Sequence, residues 1–158
     1  MAKGKEAVEA LTGIILSVFR LNAQLLDQGD RLVAPLGLTS ARWQVLGAIA
    51  LAGEPQTAPQ IASAMGISRQ AVQKQLNLAL CDGLIESSPN PRHERSPLHC
   101  LPEKGRAAYD EAMMLQRVWV QAMAKDLSLS QLLGALEVLR VLVNHLESKP
   151  IQPAAKKS

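Results

Sequence analysis

Aromatic side chains are scarce in this sequence: one Phe, one Tyr and two Trp make up 3% of its 158 residues. A core must therefore come from Leu, Val, Ile and Ala, which favours helices, and a 47% hydrophobic content is enough to build one. Cysteine is almost missing too. Cys81 and Cys100 have neither metal-ligand spacing nor a disulfide framework, so a reducing, cytoplasmic setting is expected. His93, His99 and His145 fall on different segments, which excludes a zinc site within one chain. There is no nucleophile with a base beside it, no phosphate loop and no paired carboxylates, so no catalytic residue, cofactor or enzyme activity is expected. No uncharged apolar run reaches 18 residues, since Arg20 closes the stretch Gly13–Phe19, and no membrane partner is expected. The opening MAKGKEAVEA keeps its charge through Glu6 and Glu9, unlike a signal peptide. A net charge of +3 permits nucleic-acid binding without arguing for it.

What is present is helical periodicity. The length suits one domain, or a small module with helical extensions. From Val8 to Val33, apolar residues recur at helical spacing over an unusually long stretch, which breaks at Pro35 and Gly37. A second helix starts after Thr39 or Ser40 and runs to Gly53. Thr57 and Gln60 have capping-box spacing for a short third helix that stops at Gly66. Ser68 caps a fourth, which Asp82-Gly83 ends. Leu84–Ser87 and Leu98–Leu101 read as two short strands around SPNPRHERSP, a loop whose composition cannot pack and should be exposed. A long helix follows Pro102 to about Leu127. Ser128 and Gln131 cap a last one, and the tail 149–158 reads as disordered.

Residues 57–83 have the layout of a helix-turn-helix. With Val72, Leu76, Ala79 and Leu80 inside, the fourth helix leaves Gln70, Gln73, Lys74 and Asn77 on one outward stripe. Gln and Asn can pair with adenine edges, and Lys with guanine or phosphate. Ser68 and Arg69 stand at the helix start, where the helix dipole attracts phosphate. The plain alternative is a solvated helix face. Arg92 and Arg95 on the loop add weight, because arginines on such a wing can enter the minor groove. Residues 57–101 carry four bases against three acids, a balance of +1, so position rather than amount of charge must carry any DNA reading.

The stretches LTSARWQVL (38–46), ASAMGISRQAV (62–72), DGLI (82–85) and Leu98–Leu101 before Lys104-Gly105 resemble the MarR family of winged-helix transcription regulators. With the flanking helices, the resemblance runs over roughly residues 8–147. It implies a mainly α fold with a small β-wing: a winged helix-turn-helix (38–101) between an N-terminal dimerisation helix (1–37) and C-terminal dimerisation helices (102–148). It also implies a homodimer on a pseudo-palindromic duplex DNA operator, acting as a repressor that a small aromatic or anionic ligand or an acyl-CoA thioester releases. Three positions depart from the family pattern. The wing's usual Asp-x-Arg is His93-Glu94-Arg95, leaving Arg95 without its usual partner; Ser87 replaces a common Arg, and Pro102 a common Thr. Oxidant-sensing relatives place their cysteine in the first helix, which has none here, so Cys81 reads as a small apolar filler.

For an effector site, the resemblance points to a crevice where Phe19, Trp43 and Tyr109 meet, with Arg20 and Arg42 to receive an anion. The plain alternative is that these aromatics fill core. The competing function is a winged-helix protein-interaction module that binds DNA weakly or not at all, which the near-neutral lobe would suit.

Overall fold

The computed structural model describes residues 2–149, so the expected disordered tail lies, from residue 150 on, outside the described residues. The chain divides into two compact units, residues 1–116 and 117–158. Among the described residues six α-helices and two strands follow in order: α1 (Ala2–Val33), α2 (Ser40–Ala52), α3 (Ala58–Met65), α4 (Arg69–Cys81), β1 (Glu86–Ser88), β2 (Leu98–Cys100), α5 (Glu103–Ala124) and α6 (Leu129–Ser148).

Local chemistry sets most of these ends. Thr39, Thr57, Ser68 and Ser128 each accept the backbone N–H three residues on. Thr57–Gln60 and Ser128–Gln131 complete reciprocal capping boxes. Each such cap contributes about 1 kcal/mol. Gly66 and Gly83 close α3 and α4 with positive φ, a backbone state costly for any residue with a Cβ. After Gly83, the Leu84 N–H returns to the Ala79 carbonyl at 2.8 Å. That bond draws Leu84 into the helix closure, so the ladder starts at Glu86 and not at Leu84 as the sequence suggested. Leu84 and Ile85 are buried in the core instead.

In the first unit, Val45, Leu46 and Ile49 of α2 pack with Ile61 of α3 and with Val72, Leu76 and Ala79 of α4. Tyr109 and Ala112 of α5 join the same core. Burying a Leu or Ile of this kind stabilises by about 1.5–3 kcal/mol. Two close approaches fix the frame. At Gly105 an added Cβ would collide with the Leu84 carbonyl, so α5 starts directly against the helix-to-strand turn. At Gly29 it would collide with Ser40 Oγ. Ser40 Oγ donates to the Leu26 carbonyl at 2.9 Å and its N–H to Asp30 Oδ1 at 2.6 Å, so α1 supplies a cap for α2.

The sheet is antiparallel, with Ser87 opposite His99. Gln56 adds a single bridge to His99 through N–H···O bonds of 2.9 and 2.8 Å, tying the start of α3 to β2. Helix α1 begins at Ala2, six residues earlier than the apolar pattern, and α5 ends at Ala124.

Helix α1 is exposed along most of its length, with Val8 at 66% and Phe19 at 69%. In the second unit most leucines of α6 are exposed as well, Leu142 being half-buried. Windows of both helices reach a mean hydropathy of 1.2 with no buried share, so by length and composition either is apolar enough to cross a membrane. Neither helix is a run free of charge: Arg20 lies within α1 and Glu137 and Arg140 within α6. Charged and amide side chains such as Arg20, Gln24, Asp27 and Arg31 interrupt α1, which suits a partner along one stripe better than lipid on every side.

Candidate nucleic-acid interface

Helix α4 divides its side chains cleanly. Val72, Leu76 and Ala79 are fully buried, Leu80 is half-buried, and Arg69, Gln70, Gln73, Lys74 and Asn77 are exposed. The periodicity read from the sequence is therefore the orientation in the fold. Gln73 Nε2 donates to Asn77 Oδ1 at 2.9 Å, which aligns two amides along the outer face. Ser68 is exposed, and its Oγ accepts the Ala71 N–H at 3.1 Å, so its first duty is to start the helix.

The wing folds back toward this face. Arg69, Gln70 and Gln73 of α4 share a cleft of about 310 Å³ with Arg95, Ser96 and Pro97 of the wing and with Ala58 and Pro59 at the start of α3. Two arginines and two amides thus line one cleft together with apolar Ala58, Pro59 and Pro97. Arg92 is exposed on the same loop and does not line the cleft. Among the described residues, none of Arg69, Lys74, Arg92 and Arg95 forms an ion pair, and Glu94 does not take up the missing partner role for Arg95. Exposed cations without internal partners are available to phosphate.

The loop itself contradicts one expectation. Its composition suggested that nothing in it could pack, yet Asn90 is buried. Asn90 Oδ1 accepts the Arg92 N–H at 3.0 Å and its Nδ2 donates to the Ser96 carbonyl at 2.9 Å. An Asn-Pro pair signals a turn in sequence, but only the fold shows its side chain turned inward.

The expected effector set is not brought together within the chain. Trp43 lies beside Gly29, whereas Phe19 is ten residues earlier on α1, about 15 Å along the axis at 1.5 Å per residue. Phe19 and Arg20 are exposed there, and Tyr109 is buried in the core close to Gly47. Arg42 is not free to receive an anion: its Nη1 pairs with Asp82 Oδ2 at 2.5 Å, with the Arg42 side chain 16% exposed. Asp82 caps the C-terminus of α4, and Lys104 Nζ donates to its carbonyl at 2.7 Å. Sequence reasoning missed this link because its members lie 40 and 22 residues apart. Cys81 is exposed and fills no core, contrary to expectation. His99 is buried with both ring nitrogens lacking a hydrogen-bond partner, and burial lowers its pKa. Among the described residues no cluster of His, Cys, Asp or Glu could hold a metal ion.

Comparison with known proteins places this architecture. The model of the MarR family matches residues 36–96. An uncharacterized protein of Mycobacterium tuberculosis (strain H37Rv), Rv2011c, is 37% identical over 98 residues, which cover 62% of this chain and 67% of that one. Among solved structures, the MarR family transcription regulator SP03579 superimposes with a TM-score of 0.76 at 22% identity, covering 91% of this chain and 95% of the other. A mutant MarR from E. coli complexed with operator DNA gives 0.68 at 24% identity, covering 84% and 97%. The chain belongs to the MarR family of winged-helix transcription regulators, which are regulators and not enzymes.

Proposed function

We propose that the chain is a homodimeric repressor that grips a pseudo-palindromic DNA operator and lets go when a small anionic or aromatic ligand, or an acyl-CoA thioester, binds. The observation that carries the DNA part is the cleft in which wing Arg95 stands with Arg69, Gln70 and Gln73 of α4. In that arrangement α4 enters the major groove. There Gln70, Gln73 and Asn77 read base edges, and Ser68, Arg69 and Lys74 meet bases or phosphate. Arg92 and Arg95 follow the backbone into the minor groove.

The exposed apolar stripes of α1 and α6 support the dimer, since each leaves leucines and valines in water that a second copy would cover. A two-fold pair presents two α4 helices about 34 Å apart, one turn of B-form DNA. A ligand that favours another separation then lowers affinity by shifting the population. Arg42 is not the ligand's anion partner in this reading, because it is committed to Asp82.

The test is fluorescence anisotropy with duplex DNA from the region upstream of the chain's own gene, together with sedimentation. Arg95→Ala is expected to weaken binding roughly tenfold or more, the worth of one good arginine contact, while the dimer persists. An undiminished affinity in that variant would remove the wing from the account. Wild-type protein that ignores duplex DNA at every salt concentration would point instead to a protein-interaction module.

A further inference from the structure

We propose that Asn90 is the positioning residue of the wing, holding Arg92 and Arg95 where they meet DNA; this rests on the reading that the wing grips the duplex. In the wing loop, Pro89, Pro91, Arg92, His93, Glu94 and Arg95 are all exposed, but Asn90 is only 8% exposed. The loop has little else to organise it. Pro89, Pro91 and Pro97 lack an N–H, so few backbone donors are available to tie its two limbs together. Arg95 also lacks the carboxylate that steadies the equivalent side chain in the family pattern, and Glu94 forms no ion pair in its place.

Asn90 does the tying with both ends of one amide. Its Oδ1 accepts the Arg92 N–H at 3.0 Å, an Asx turn that sets the direction in which Arg92 leaves the backbone. Its Nδ2 crosses the loop to the Ser96 carbonyl at 2.9 Å, one residue beyond Arg95. Two backbone bonds complete the frame, His93 N–H to the Asn90 carbonyl at 3.2 Å and Ser96 N–H to the His93 carbonyl at 2.9 Å. Arg92 and Arg95 therefore each stand next to a backbone group that Asn90 fixes. The crosspiece requires an amide: a carboxylate could accept from Arg92 but could not donate to Ser96. A backbone brace thus replaces the usual side-chain partner of the wing arginine.

Three readouts on the full chain test this: DNA affinity, coupling to Arg95 and proteolysis. Asn90→Ala is expected to bind duplex DNA from its own upstream region about tenfold more weakly, with a salt slope smaller by about one. Asn90→Asp keeps the Arg92 turn but loses the bond to Ser96, so it should weaken binding as well. In an Arg95→Ala background, Asn90→Ala should cost much less than it does alone, because the residue it positions is gone. The third readout needs no DNA: limited trypsin digestion should cut after Arg92 and Arg95 faster in Asn90→Ala than in wild type. Equal digestion rates, or full additivity with Arg95→Ala, would overturn the proposal. If wild type binds no DNA but Asn90→Ala still speeds digestion, the DNA reading fails while Asn90 keeps its role in ordering the loop.

Discussion

The ion pair between Arg42 and Asp82 gives the sharpest test of the lobe's energetics, because its two ends are unequally buried. The Arg42 side chain is 16% exposed and the Asp82 side chain 49%. Removing the carboxylate by Asp82→Ala strands a mostly buried guanidinium, whose Nε already lacks a hydrogen-bond partner. A lost charged hydrogen bond with a stranded donor costs about 2 kcal/mol. For a chain of this size that lowers the melting temperature by roughly 4–8 °C. Removing the cation by Arg42→Met leaves a half-exposed carboxylate that water can solvate, and the methionine retains much of the packing. The expected cost is below about 1 kcal/mol. Asp82→Asn keeps an acceptor and should fall between them. Thermal melts by circular dichroism at one fixed protein concentration compare the three, since assembly makes stability concentration-dependent. The reasoning is refuted if Arg42→Met proves as damaging as Asp82→Ala, or if Asp82→Ala melts with wild type.

Two further outcomes follow from buried features of the first unit. Burial holds the His99 imidazole below the ordinary histidine value of 6.5. Above that pH both folded and unfolded chains carry it neutral. As pH falls below 6.5, the unfolded chain gains a proton that the folded chain refuses, so stability drops by up to about 1.4 kcal/mol per pH unit until the folded-state value is reached. Urea midpoints measured across this range should fall less steeply in His99→Phe, and identical slopes would show that His99 contributes nothing. Gly105→Ala places a methyl group against the Leu84 carbonyl, which should cost about 1–3 kcal/mol by overpacking; an unchanged melting temperature would mean that α5 can shift freely there.

Much of the lobe was legible because its signals are local. Thr57 with Gln60, and Ser68 with Ala71, make their bonds within one turn, so the residues that define the helix starts also satisfy them. The outward stripe of α4 was equally open to reading, since a 3.6-residue period fixes which side chains face away from Val72 and Leu76. The register of the wing was not. Its first strand starts late because the Leu84 N–H is claimed by Ala79, a competition between helix closure and ladder that residue preferences do not reveal. The effector grouping failed for a related reason: aromatics scattered over three helices say nothing about how far along each axis the helices cross.

The sequence alone determined the order of the elements, their caps and the polar face of α4, because each depends on groups a few residues apart. Folding was needed to bring Arg95 into a cleft with Arg69 and Gln73, to turn Asn90 inward and to pair Asp82 with Arg42. Those pairings depend on chain segments that approach only after the core has closed. Their energies come from burial and from competition between partners, which no stretch of sequence carries by itself.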